Sequence, residues 1–179
     1  MIVTSIKVLA WIAAAAILTG LASWLAHWSY RRFLRSARRP ASAALPREGP
    51  STALDVLFDP LERQYPGQNG LMTLLDNADA FAARRLSAAQ AGRSLDLMYF
   101  IWRTDLAGWL LIDSLVAAAD RGVRVPLLLD DVNVQGFDRV FLALSQHPKI
   151  EVRLFNPTRY RGHVLLRTLE LALGLARFN

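Results

Sequence analysis

Cysteine is absent from the 179 residues. That excludes disulfides, thiolate nucleophiles and cysteine metal sites, and leaves the redox compartment open. Lysine is almost absent: Lys7 and Lys149 are the only two, and histidine occurs only at His27, His147 and His163. Excess charge is missing from most of the chain. Residues 51–179 hold 14 basic and 14 acidic side chains, so this part lacks the basic surplus of a nucleic-acid binder. The net charge of +6 belongs to residues 1–50, where Lys7, Arg31, Arg32, Arg35, Arg38, Arg39 and Arg47 face only Glu48.

A further absence is local. Between Lys7 and Arg31 lie 23 residues, VLAWIAAAAILTGLASWLAHWSY, without Asp, Glu, Lys or Arg. As a helix they extend roughly 35 Å, enough for a hydrocarbon layer about 30 Å thick. Trp24, Trp28 and Tyr30 gather near one end, where amphipathic rings favour the interface. A cleaved signal would carry its positive charge before the apolar run and a small-residue cleavage site after it. Here one Lys precedes the run and five Arg follow it. Residues 1–39 therefore read as a transmembrane anchor with a basic juxtamembrane segment. The positive-inside rule puts the arginine end, and the chain after it, in the cytoplasm. Arg31, Arg32, Arg35, Arg38 and Arg39 are expected either to hold anionic lipid head groups, at about 1 kcal/mol each, or to act only as a topology signal.

Three prolines and small residues in RRPASAALPREGPST make residues 40–52 a linker, leaving 53–179 as the folded part. Residues 78–91 read as an alanine-rich helix and 94–102 as a buried strand. A helix capped by Thr104 or Asp105 should follow to about Arg121, with Leu111, Leu115 and Ala118 on one face. Gly122 suits its C-terminus. VRVPLLLDD reads as a second strand, 136–147 as a short helix and 150–157 as a third strand. Apolar strands joined by helical crossovers predict an α/β fold, a mostly parallel sheet flanked by helices. Pro126 removes a donor from what should be a central strand, which calls for a bulge or an acceptor left without its bond. Residues 159–179 read as an amphipathic or buried helix, with Leu165, Leu169 and Leu173 on one face beside Leu166 and Leu175. Core or partner packing is the favoured reading of that face; an apolar surface near lipid is the alternative.

Ligands gather at the carboxyl ends of parallel strands. Those ends offer Trp102, Arg103 and Asp105, then Asp130, Asp131 and Asn133, then Asn156. A metal-assisted aspartyl phosphotransferase needs a second carboxylate two residues after the nucleophile. Asp131 is followed there by Asn133, so that chemistry is disfavoured. A receiver-type site needs a lysine on a later strand, but Lys149 precedes its strand. Asp130 and Asp131 therefore read as strand-end and pocket-wall residues that cap a following segment or pair with an arginine such as Arg103.

The stretch YFIWRTDLAGWLLIDSLVAAADRGVRVPLLLDD (99–131), with HPKIEVRLFNP (147–157) behind it and GQNGLMTLLDNADAFAARR (67–85) ahead, resembles the N-terminal part of bacterial cardiolipin synthase-type proteins of the phospholipase D superfamily. The order and spacing of these pieces carry the resemblance, and the N-terminal anchor agrees with it. It implies a phosphatidyltransferase. One histidine attacks the phosphodiester to form a phosphohistidine, a second protonates the leaving alkoxide, and lysines stabilise the phosphoryl charge. No metal and no cofactor are implied. The chain departs from the family twice. Pro126 stands where a basic residue is usual, and neither copy of the His-x-Lys-x4-Asp signature is present; His147-Pro148-Lys149 lacks the following Asp. The chain is thus expected to be an incomplete phospholipase D-like domain, inactive alone. It would be single-pass in the bacterial inner membrane, with a missing C-terminal half and anionic phospholipids as partners and no nucleic acid. A non-catalytic, membrane-tethered interaction module is the competing reading.

Overall fold

The computed structural model describes residues 2–38, 40–46, 49, 51–134 and 136–172. Arg39, Leu173 and Leu175 lie outside the described residues. The chain forms two compact units, one from Ser42–Phe155 and one from the described parts of Met1–Ala41 and Asn156–Asn179.

In the larger unit, α2 (Ala53–Gln64) opens with a capping box in which the Thr52 hydroxyl accepts from the Asp55 amide and the Asp55 carboxylate accepts from the Thr52 amide at 2.7 Å. α3 (Asn77–Gln90) is capped by Asp76. Then come β1 (Leu97–Tyr99), α4 (Leu106–Asp120), β2 (Val125–Asp130), α5 (Asp138–Leu144) and β3 (Ile150–Phe155). The sheet is parallel throughout, in the order β1-β2-β3. It is the expected helix-flanked α/β arrangement. The two crossovers deliver α4 and α5 to the same face, as equal handedness in that strand order requires. Val125, Leu127 and Leu129 are buried there with Leu111, Leu115, Ala118, Phe141 and Leu144. α3 is bound to α4 by Arg85, which donates to Ser114 Oγ at 3.2 Å, and by Arg121, which donates to the Ala88 carbonyl at 2.8 Å.

The opposite face of the sheet carries no helix from these crossovers. Met98 is exposed there, and Pro126 and Leu128 are half-buried beside a cavity of about 450 Å³ lined also by Ser42, Ala43 and Arg153. Arg124 holds this edge of the linker by donating to the Ala43 carbonyl (2.8 Å) and to Ser42 Oγ (2.6 Å).

β1 is shorter than the 94–102 strand expected, and Pro126 accounts for the loss at its N-terminal side. Arg124 donates its amide to Arg93 on the β1 side and Val125 donates to Lys149 on the β3 side. By alternation the missing donor of Pro126 faces β1. Pairing with β1 occurs at Ser94↔Arg124 and resumes at Leu97↔Leu127, and it lapses between them, opposite Pro126. The β2–β3 register runs through Pro126↔Glu151 without a bulge.

The smaller unit contains α1 (Ile2–Ala37) and α6 (Val164–Ala172). Within α1, Ile6–Ser36 is long and apolar enough to cross a membrane, and its most apolar window is wholly unburied by protein. Its polar side chains satisfy themselves on the helix: Thr19 Oγ1 donates to the Ala15 and Ala16 carbonyls at 2.9 Å, and His27 Nδ1 lies 2.8 Å from the Ser23 carbonyl. Arg31, Arg32, Arg35 and Arg38 are exposed. Of the core or partner packing expected for the leucine face of α6, core packing is not what its described leucines show. Leu165 is 74 % exposed and Leu166 and Leu169 are also exposed, whereas Arg167 and Glu170 are buried.

Candidate functional site

The end of β1 and the start of α4 build one polar-rimmed cavity of about 290 Å³, lined by Trp102, Arg103 and Asp105 together with Phe81, Arg84 and Gly108. Three of the seven strand-end residues singled out in the sequence therefore meet. Asp105 does so as the cap of α4, its Oδ1 accepting the Gly108 amide at 2.8 Å. Trp102 is a wall residue and a core residue at once. Its ring packs edge-on against Tyr99 (centroids 4.9 Å) and Phe141 (5.8 Å), and it is only 5 % exposed. Arg103 is exposed. Arg84, which faces the same cavity from α3, was not foreseen. Its only signal was the Arg84-Arg85 pair within an alanine-rich helix.

Asp130 and Asp131 do not line that cavity. Asp130 Oδ1 accepts the Val132 amide at 3.0 Å and Asn133 Nδ2 at 3.2 Å, capping the single 3-10 turn Asp131–Asn133. Asp131 is fully buried. Asp130 thus takes the capping role anticipated for these carboxylates, and the segment it caps begins at Asp131. Asn156, in the other unit, takes a left-handed conformation with φ 48° directly after β3, which Asn tolerates better than most residues. Among the described residues no group of three His, Asp or Glu is placed to hold a metal ion.

No family model matches the chain. Cardiolipin synthase C of Escherichia coli is 51 % identical over 120 residues, which are 67 % of this chain and 25 % of that protein. A cardiolipin synthase of Oceanobacillus iheyensis is 27 % identical over 127 residues, 66 % of this chain and 26 % of that one. The chain is a cardiolipin synthase-type protein of the phospholipase D superfamily. An uncharacterized protein of Helicobacter pylori is 29 % identical over 129 residues, 72 % of this chain and 26 % of its own length. The chain spans about a quarter of the length of the curated relatives it matches. The solved structure of TrmBL2, an archaeal chromatin protein, overlays with a TM-score of 0.40 at 14 % identity, over 70 % of this chain and 58 % of that one. At that distance it bears on neither fold nor function.

Packing accounts for much of the motif that marks this cardiolipin synthase-type chain. In WRTDLAG, Trp102 enters the core, Asp105 caps α4, and Gly108 lets α4 approach the preceding turn. A Cβ on Gly108 would lie 2.2 Å from the Arg103 carbonyl oxygen and 3.1 Å from Trp102 Nε1.

Proposed function

We propose that this chain is the membrane-anchored N-terminal part of a phospholipase D-like phosphatidyltransferase, which moves a phosphatidyl group between phospholipids to make cardiolipin or a relative, with phosphatidylglycerol as acceptor. The 51 % identity to cardiolipin synthase C over 120 residues is the observation that carries this reading. The apolar helix Ile6–Ser36 supports it, since substrate and product both reside in a bilayer. In the whole enzyme a histidine Nε attacks the phosphodiester phosphorus, and the departing alkoxide takes a proton from a second histidine. The acceptor hydroxyl then displaces the phosphohistidine and returns that proton. None of His27, His147 and His163 stands in a His-x-Lys-x4-Asp frame. The catalytic histidines are therefore supplied by the remaining C-terminal part, and residues 1–179 alone do not transfer.

On this reading Trp102, Arg103 and Asp105 belong to the walls of the substrate pocket, and Asp130 and Asp131 to the strand end that supports it. Arg31, Arg32, Arg35, Arg38 and Arg39 lie at the cytoplasmic leaflet of the inner membrane, against anionic head groups. Residues 1–39 are the single-pass anchor, 40–52 the linker and 53–179 the first part of the catalytic domain. The test is conversion of labelled phosphatidylglycerol to cardiolipin in vesicles, read by mass spectrometry. The chain by itself should give none, and co-expression with a C-terminal piece carrying both His-x-Lys-x4-Asp motifs should restore it. Transfer by residues 1–179 alone, or failure of the reunited halves when both are folded and membrane-bound, would refute the proposal.

A further inference from the structure

α6 buries charge where it had leucines to bury. Arg167 is 9 % exposed and Glu170 3 %, while Leu165 and Leu169 face outward. The two buried groups do not neutralise one another. Glu170 instead accepts the Arg159 amide, at 3.0 and 3.1 Å, and the Tyr160 amide at 3.3 Å. Arg167 Nε and Nη2 are both buried and have no hydrogen-bond partner among the described residues. Two orphaned donors on a desolvated guanidinium are costly. Arg161 lies near enough to feel this cation: burial first, and then the charge of Arg167, push its guanidinium below the ordinary arginine range.

The framework around these cations is built. Tyr30 on α1 donates to the Pro157 carbonyl at 3.2 Å, and Arg159 donates to Ser29 Oγ. Thr158 is buried. Glu170 then ties α6 to the same loop. The loop is thus fastened near the arginine-bearing end of the apolar helix, and the Arg167 donors are turned inward. A guanidinium edge presenting Nε and one Nη matches two oxygens of a phosphate group. One such anion would satisfy both orphaned donors and relieve the repulsion with Arg161.

We propose that Arg161 and Arg167 form a binding site for one phosphate group, taken from an anionic phospholipid head group or from free phosphate, and that the bound group locks α6 and the 157–163 loop onto α1. Only the lipid source rests on the membrane anchoring proposed above; the phosphate chemistry does not.

The experiment uses the whole chain, delipidated in maltoside micelles that contain no phosphate. Inorganic phosphate and short-chain phosphatidylglycerol are titrated separately at constant ionic strength, and binding and thermal unfolding are followed. Wild-type chain should bind at least one of the two and unfold at a higher temperature when it does. R167Q should bind about tenfold more weakly or worse, and in the absence of either anion it should be no less stable than wild type, because a buried orphan charge is gone. Should R167Q fail to fold, Arg167→Lys and Arg161→Lys carry the test. They keep the charge and lose the fork, and should also weaken binding. A response to phosphatidylglycerol alone identifies a lipid site, and a response to both identifies a site for the phosphate group from either source. Binding of neither, or equal responses from wild type and the arginine variants, overturns the proposal. Loss of transferase activity in the reunited enzyme, with this binding intact, would count against the enzymatic reading and not against the site.

Discussion

Replacing Gly108 by alanine sets two effects of opposite sign against each other. In a helix with room for a methyl group, Gly→Ala stabilises by about 1 kcal/mol, because glycine loses the most backbone freedom on folding. Here the new Cβ would meet a backbone oxygen, that of Arg103, at 2.2 Å, and Trp102 Nε1 at 3.1 Å. A carbonyl fixed in the turn before α4 cannot swing aside like the end of a side chain, so α4 must move away from the turn. Overpacking of this kind costs about 1–3 kcal/mol. The movement also strains the 2.8 Å bond from the Gly108 amide to the Asp105 cap, an interaction worth about 1 kcal/mol. The clash and the strained cap together outweigh the helix gain, leaving a net loss of about 1–3 kcal/mol. For a folded unit of this size, that lowers the melting temperature by roughly 4 °C or more per kcal/mol. Tryptophan emission is the suitable readout, since Trp102 is buried at the site and the half-exposed Trp109 beside Gly108 packs on Phe137. Far-UV ellipticity would mix this unit with the 36-residue α1. An unchanged or raised melting temperature for G108A would refute the argument that α4 docks on the Arg103 turn through this glycine.

Further outcomes follow from burial. Leu115 is fully buried beneath β2, so Leu115→Ala should cost 2–5 kcal/mol in urea unfolding, roughly, whereas a value below about 1 would mean the crossover helix is not packed as described. Asp130→Ala removes the cap on the 3-10 turn and should cost about 1 kcal/mol, and Asp130→Asn should recover most of it because the amide oxygen can still accept the Val132 amide. Leu165 is 74 % exposed; Leu165→Gln should leave unfolding within about 0.5 kcal/mol of wild type in micelles, and a large loss would restore the core-packing interpretation of that face.

The sequence by itself determined the parts whose physics is local. A 23-residue stretch without charge is a helix of membrane-spanning length whatever follows it. The strand–helix alternation of residues 94–157, with Asp105 before α4 and Gly122 after it, forces a parallel sheet with α4 buried through Leu111, Leu115 and Ala118. The run of motif residues from Tyr99 to Asp131 carried the family. α2 went unread, although its Thr52–Asp55 capping box is a sequence signal, because Pro60 lies inside the helix and the preceding prolines gave the region the look of a linker.

Tertiary structure decided the rest. The lapse of β1 opposite Pro126 depends on which neighbour the missing amide faced, and strand order sets that. Strand-end position alone grouped Trp102, Arg103, Asp105, Asp130, Asp131, Asn133 and Asn156; the first three line one cavity, whereas Asp130 turns back on its own backbone as a cap. In α6 the periodicity of the leucines marked the apolar face correctly, but it did not tell that Leu165, Leu166 and Leu169 would stay out of the core. Hydrophobic spacing tells which residues share a face; whether that face turns toward protein or away from it depends on partners distant in the chain. Here the amides of Arg159 and Tyr160 draw Glu170 inward, and Arg167, on the same side of the helix, goes with it.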